Sequence, residues 1–200
     1  MTPMKSTFNR HEPRMTMATE REKMVRGDLY LASDPELVAA RVRARRLFAR
    51  FNASDPGDAP ARVALMRELF GGVGRDVWIE PPFACDYGTQ VILGDGVFVN
   101  FGGVFLDPAP ITIGGGAQLG PNVQLLTADH PRDAATRAAG PELGRPITIG
   151  SRCWLGGGVI VCPGVTIGED TIVGAGSVVV RDLPARVIAA GNPCRVVREL

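Results

Sequence analysis

The sequence of 200 residues holds two imidazoles, His11 and His130, and only one lies where proton transfer is expected. Histidine has an ordinary pKa near 6.5, so it is mostly neutral at pH 7 and can take a proton. His11 falls in residues 1–18, which read as an irregular, flexible leader. His130 falls in a polar loop, and such loops carry function more often than the elements they join. General base and solvated bystander are therefore both open for His130. Asn100 offers a side-chain amide able to donate to a developing oxyanion or to orient a hydroxyl, against the structural role asparagine often has at a turn. Asp86 and Asp107 can accept hydrogen bonds from hydroxyl groups, against the ordinary role of a turn aspartate. A catalytic zinc held by three histidines is out of reach for a chain with two. Cys85, Cys153, Cys162 and Cys194 form no C-x-x-C pair and are too few for a disulfide scaffold.

Composition narrows the partners. Apolar residues are 45% and charged residues 22%, the balance of an ordinary globular chain. Net charge is +1, which argues against nucleic acid. Residues 1–75 carry 14 Lys/Arg against 9 Asp/Glu, concentrated in Arg41, Arg43, Arg45 and Arg46, and this excess reads as a solvated helix face, against nucleic-acid or membrane contact. No apolar run approaches the ~18 residues of a membrane span, and the first residues lack the apolar core of a secretory signal. Reduced thiols then point to a cytoplasmic protein.

The elements that must position these side chains follow two periods. From Thr19 to Gly72 the spacing is helical. Thr19 and Glu22 make a capping box, and Asp34-Pro35-Glu36 opens a second helix with a stripe of Leu37, Ala40, Ala44, Leu47, Phe48 and Phe51. Residues 52–58 read as a loop, and a third helix ends at Gly71-Gly72. Beyond it the period is six. Ile149, Leu155, Val161, Ile167, Val173 and Val179 are evenly spaced, and Gly150, Gly156, Gly168 and Gly174 follow four of them. The register recurs as Ile113, Leu119, Leu125 and as Leu93, Val99, Phe105, with two residues inserted between Phe105 and Ile113. Residues 127–146 interrupt it. Three hexads make one coil of a prism whose coils stack through parallel backbone hydrogen bonds. The 25 glycines are expected at corners, where unusual dihedrals are needed. The expected fold is mainly β: a left-handed parallel β-helix over 73–200, with an α-helical cap over 19–72.

With the repeat in view, the chain resembles the hexapeptide-repeat acyltransferases, and within them the bacterial maltose and galactoside O-acetyltransferases. The resemblance rests on Glu80-Pro81-Pro82-Phe83-Ala84-Cys85-Asp86-Tyr87-Gly88, Val99-Asn100-Phe101, Thr127-Ala128-Asp129-His130-Pro131, Arg145-Pro146-Ile147-Thr148-Ile149-Gly150, Ala189-Ala190-Gly191-Asn192-Pro193-Cys194-Arg195 and the helical Met24–Tyr30. It covers roughly residues 19–200. It implies acetyl transfer from acetyl-CoA to a sugar-like hydroxyl, with His130 as general base and Asn100 as a site amide; the sequence itself holds no metal-ligand cluster, so no metal is expected. Leu143 and Trp154 match positions lining the substrate pockets of relatives, and Trp154 can equally pack against a neighbouring subunit. The resemblance puts backbone contacts to CoA at Gly157 and Ala175 and phosphate contacts at Arg181, Arg195 and Arg198. Val180 stands where relatives commonly have threonine, and Ala32 where the galactoside branch has an acidic residue, which weakens a galactoside-specific reading.

Two other classes compete. The same prism can acetylate an antibiotic or an amino-acid hydroxyl, or it can serve as a non-enzymatic scaffold. A scaffold gives no reason to interrupt the repeat with a histidine-bearing loop. The flat faces of a prism make no deep pocket alone, so a homotrimer with clefts shared between subunits is expected, and the resemblance points the same way.

Overall fold

The computed structural model describes residues 18–200, and the leader with His11 lies outside the described residues. Helix α1 (Glu20–Arg26) starts at the Thr19–Glu22 capping box, both of whose hydrogen bonds form, and stops at Gly27 in the left-handed conformation. Helix α2 (Pro35–Asn52) is capped by the Asp34 side chain, which accepts from the Glu36 N–H, and has proline in its first turn. Its apolar stripe buries Leu37, Ala44, Leu47 and Phe51. Asn52, expected in a loop, closes this helix, and its side-chain amide brackets the Phe83 backbone with two bonds of 2.9 Å. Helix α3 (Ala59–Leu69) is capped by Asp58 and packs on α2. Together α2 and α3 cover the open end of the first coil.

The prism begins at Gly72, and three parallel sheets form its walls. Every aliphatic of the six-residue register points inward and is at least 98% buried, from Leu93 through Val179. Val73, Ile79 and Cys85 supply a first coil that the repeat reading passed over. Val73 pairs with Leu93, Ile79 with Val99 and Cys85 with Phe105. Further along, Ile149, Leu155 and Val161 pair with Ile167, Val173 and Val179. The excess of glycine has a different main cause from the one expected. A Cβ on Gly156 would stand 2.6 Å from the Ala175 nitrogen in the next coil, and the equivalent atom on Gly120 would meet Gly157 at 2.7 Å. Glycine directly after the inward aliphatic lets coils approach at sheet spacing. The left-handed dihedrals fall two residues later, and Asn122, Arg152 and Asp170 adopt them as well as glycines do.

The three faces differ. One carries outward Ile92, Thr112, Thr148 and Thr166. A second carries Trp78, Phe98, Gln118, Trp154, Ile172 and Ile188, and the third Ala84, Val104, Gln124, Ile160 and Val178. The two apolar faces meet at the corner formed by residues 100–102 and 156–158, called here the middle corner. The third face meets the threonine face at the corner formed by residues 86–90 and 107–110, called the loop corner because 127–146 leaves from it. At the far end, Arg195–Glu199 folds back antiparallel on Val187–Ala190 and completes the second sheet.

Candidate active site

The loop corner changes from coil to coil because residues are inserted there. In the second coil the insertion turns Asp107 inward. Its side chain is fully buried, and its carboxylate accepts N–H bonds from Tyr87 (2.8 Å), Asp86 (3.0 Å) and Gln90 (3.4 Å). Burial pushes this carboxyl up to about 7, against the backbone donors, with Asp86 adding to the rise. The expectation that Asp107 receives a sugar hydroxyl is corrected: its side chain has no exposed surface and its carboxylate is taken up by three backbone N–H groups of the turn that carries Asp86.

In the third coil the insertion becomes the 127–146 excursion. Thr127 clamps its neck. Its hydroxyl donates to the Leu106 carbonyl at 2.8 Å and accepts from Ala109 N–H at 3.0 Å, while Arg145 N–H donates to the Thr127 carbonyl. Where the sequence suggests a polar loop, the excursion is a folded ribbon. Ala128–Asp129 pairs antiparallel with Pro141–Gly144, and helix α4 (Ala134–Ala138) joins the two. The second of these strands also pairs with Tyr30–Leu31 from the cap, setting Tyr30 opposite Glu142.

This ribbon closes a polar cavity of about 230 Å³ between cap and prism, lined by Tyr30, Ala32, Arg41, Arg45, Asp86, Tyr87 and Glu142. Tyr30 Oη donates to Glu142 Oε2 at 3.0 Å, and Arg41 donates to Tyr87 Oη at 2.6 Å and to the Ala32 carbonyl at 2.5 Å. Burial raises the Asp86 carboxyl above its ordinary range and Glu142 adds to this, while Arg41 opposes it. Burial also holds the Tyr30 hydroxyl protonated far above neutral pH. The walls therefore offer acceptors, donors and a phenol within one small space, the lining of a hydroxyl-rich ligand.

His130 follows the ribbon strand whose Asp129 faces Leu143, so the imidazole and Leu143 share the ribbon that carries Glu142. Its ring is exposed and makes no hydrogen bond among the described residues. Asp129 does not orient it: one carboxylate oxygen accepts the His130 backbone N–H at 2.9 Å, and the other lies 3.2 Å from Arg132 and 3.5 Å from Arg145.

Asn100 sits elsewhere, at the middle corner. It takes the place after an inward aliphatic that glycine fills in the next three coils, at 120, 156 and 174. Its Oδ1 accepts the Phe101 N–H at 2.8 Å, which leaves Nδ2 as an outward donor. Gly157 and Ala175 lie above it at the same corner, joined by the Gly176 N–H bond to the Gly157 carbonyl. Val180 and Arg181 lie at the loop corner and are exposed, and Arg195 and Arg198 are exposed on the last strand. Trp154, 54% exposed, stands on the second face between Gln118 and Ile172. The chain thus groups His130, Leu143, Asp86, Val180 and Arg181 on one corner and Asn100, Gly157 and Ala175 on another.

Sequence reasoning missed Tyr30, Arg41, Arg45 and Glu142. Arg41 and Arg45 were visible only as part of a basic run, yet their four-residue spacing on a helix places both on one face, toward the cavity. Among the described residues no group of three or more His, Cys, Asp or Glu gathers as a metal site.

Comparison with known proteins bears on this geometry. Residues 23–74 match the maltose acetyltransferase hexapeptide capping motif, and residues 146–181 match the bacterial transferase hexapeptide of six repeats. Nodulation protein L of Rhizobium meliloti is 47% identical over 178 residues, covering 89% of this chain and 97% of that protein. The crystal structure of a maltose O-acetyltransferase from Clostridium difficile 630 superposes with a TM-score of 0.90 at 43% identity, over 92% of this chain and 99% of that one. A galactoside acetyltransferase in complex with coenzyme A gives a TM-score of 0.87 at 38% identity, over 91% of each chain. Helical cap and hexapeptide prism are therefore those of one enzyme group, and the chain belongs to the sugar O-acetyltransferase-like branch of the hexapeptide-repeat family as an acetyl-CoA-dependent acetyltransferase.

Proposed function

We propose that the enzyme transfers the acetyl group of acetyl-CoA to a hydroxyl of a sugar bound in the cavity at the loop corner. The observation that carries this reading is the ribbon: it sets the single histidine of the described residues beside a cavity walled by Asp86, Tyr30, Glu142 and Arg41. His130 takes the proton of the acceptor hydroxyl as its oxygen attacks the thioester carbonyl. The Asn100 Nδ2 donates to the oxyanion of the tetrahedral intermediate. As the carbon–sulfur bond breaks, His130 returns the proton to the departing thiolate. Asp86 and Glu142 accept hydrogen bonds from other sugar hydroxyls and fix which one faces the base.

The residues present fit CoA. Small residues line the middle corner, so backbone is open to a pantetheine arm, and a Cβ on Gly176 would meet nothing within 4 Å. Arg181, Arg195 and Arg198 supply exposed guanidinium groups for its phosphates. The loss of a hydroxyl at Val180 removes one hydrogen bond that relatives commonly offer.

The division of site residues between two corners supports a homotrimer. His130 with Arg181 leaves one corner and Asn100 with Gly157 and Ala175 leaves another, so a cleft between two chains unites what one chain separates. The two apolar faces supply the contact surface and the threonine face is left to water. The direct test is an acceptor screen: the protein with acetyl-CoA, reading thiol release across monosaccharides, disaccharides, aminoglycosides and serine. Release with sugars is the expected result, and release only with an aminoglycoside or serine would favour the same fold working on another hydroxyl class.

A further inference from the structure

A second cavity, of about 420 Å³, lies below the middle corner, where the α2–α3 connection meets the first coil. Its size falls among those of small-molecule sites, which run from about 300 Å³ upward. Arg62, Glu80, Pro81, Pro82, Ser54 and Phe101 line it. Arg62 is 97% buried, with its guanidinium 5.1 Å from the centre of the Phe51 ring and 4.8 Å from that of Trp78. Nη2 donates to the Ile79 carbonyl at 2.6 Å, but Nη1 has no partner among the described residues, and no carboxylate pairs with the charge. A buried donor left unmade costs stability that a ligand oxygen would recover. Glu80 keeps one carboxylate oxygen on Trp78 Nε1 at 2.9 Å, which leaves the other as an acceptor. Phe101 is 55% exposed and adds an aromatic face at the mouth.

Donor, acceptor and aromatic face together are the lining that a hydroxylated ring fills, its polar edge toward Arg62 and Glu80 and its apolar face on Phe101. The cavity is also tied to the reacting centre. Phe101 follows Asn100 and donates its N–H to the Asn100 side chain, and Glu80 lies one coil below Asn100, since its N–H bonds the Val99 carbonyl at 2.8 Å. Adjacent coils are about 4.8 Å apart.

We propose that this cavity is a second saccharide subsite, so that the preferred acceptor is an oligosaccharide lying in the cleft between two chains, with one ring at the ribbon cavity of one chain and a neighbouring ring on Phe101, Arg62 and Glu80 of the adjoining copy. The proposal rests on the acetyl-transfer reading above. The test measures kcat/KM with acetyl-CoA and malto- and chito-oligosaccharides of one to four rings, for the wild type, Phe101→Ala and Glu80→Gln. For one of the two series kcat/KM should rise by at least ~10-fold when rings are added, and Phe101→Ala should abolish that rise while holding the single-ring value within about twofold. Glu80→Gln, which keeps an acceptor for Trp78, should move the same way. A rate independent of ring number, or a length preference that both variants retain, overturns the subsite. Failure to acetylate any sugar overturns the acetyl-transfer reading instead. In that case calorimetry with the same tetrasaccharides decides: binding that Phe101→Ala weakens supports the subsite, and no binding or equal binding overturns it.

Discussion

His130 keeps both ring nitrogens free of partners among the described residues, whereas Asp129 beside it is engaged by a backbone N–H and two arginines. That division would suit the proposed role, in which the imidazole turns between a hydroxyl and a thiolate. His130→Ala should lower turnover by at least ~100-fold with little change in acetyl-CoA affinity, because the lost interaction belongs to the transition state; single-turnover rates beside calorimetric CoA binding would check both halves. Asp107 gives a second expectation. Its folded pKa of about 7 lies above the ordinary 3.8, so between these values the folded chain keeps a proton that the unfolded chain releases. Stability should therefore fall as pH rises from about 4 to about 7 and level off above, and Asp107→Asn should flatten that slope, leaving the smaller contribution of Asp86. Denaturant melts of both proteins across this range would show it; parallel slopes would mean that the three backbone donors hold the carboxylate ionised. That the His130 loop leaves the repeat was legible in the sequence, but the burial of Asp107 was not. Leu106 and Pro108 give no local sign that a two-residue insertion turns the carboxylate toward three N–H groups of the preceding coil.

The coils themselves were legible because a six-residue period has no helical or alternating-strand reading. The ribbon was not. Pro141–Gly144 has no strand pattern of its own and is extended because it pairs with Tyr30–Leu31, more than a hundred residues earlier in the chain. The cavity that depends on this pairing was hidden with it. Glycine was counted correctly and explained incompletely, and the two causes can be separated by substitution. Gly156→Ala drives a Cβ to 2.6 Å from the backbone of the next coil and should cost about 3 kcal/mol or more, at or above the upper range for overpacking. Gly176→Ala meets nothing within 4 Å and suffers only from its φ of +70°, a cost of about 1 kcal/mol. Chemical denaturation of the two variants should rank them in that order, and equal losses would mean that dihedral strain alone explains the glycines.

At the scale of the whole molecule, the proposed homotrimer would use the apolar second and third faces as its contact surface. Sedimentation at micromolar concentration should give about three times the 21.2 kDa chain mass. Mixing His130→Ala with Asn100→Ala, each inactive alone, should restore part of the activity after subunit exchange, since one cleft in the mixed trimer then has both groups intact. A fully active monomer would remove the shared cleft while leaving the chemistry in place. The last strand has a different consequence. A stack of parallel coils is periodic along its axis, so its end rung presents the same unpaired N–H and C=O groups that the next rung would use. Helices α2 and α3 cover one end, and Arg195–Glu199 covers the edge of Val187–Ala190 at the other with a reversed, charged strand. That reversal is a chain terminator in the polymer sense. Deleting residues 195–200 should uncover the Val187–Ala190 edge at one end only, so two copies can pair end to end but cannot polymerise, seen as a concentration-dependent doubling of the assembly's mass in sedimentation.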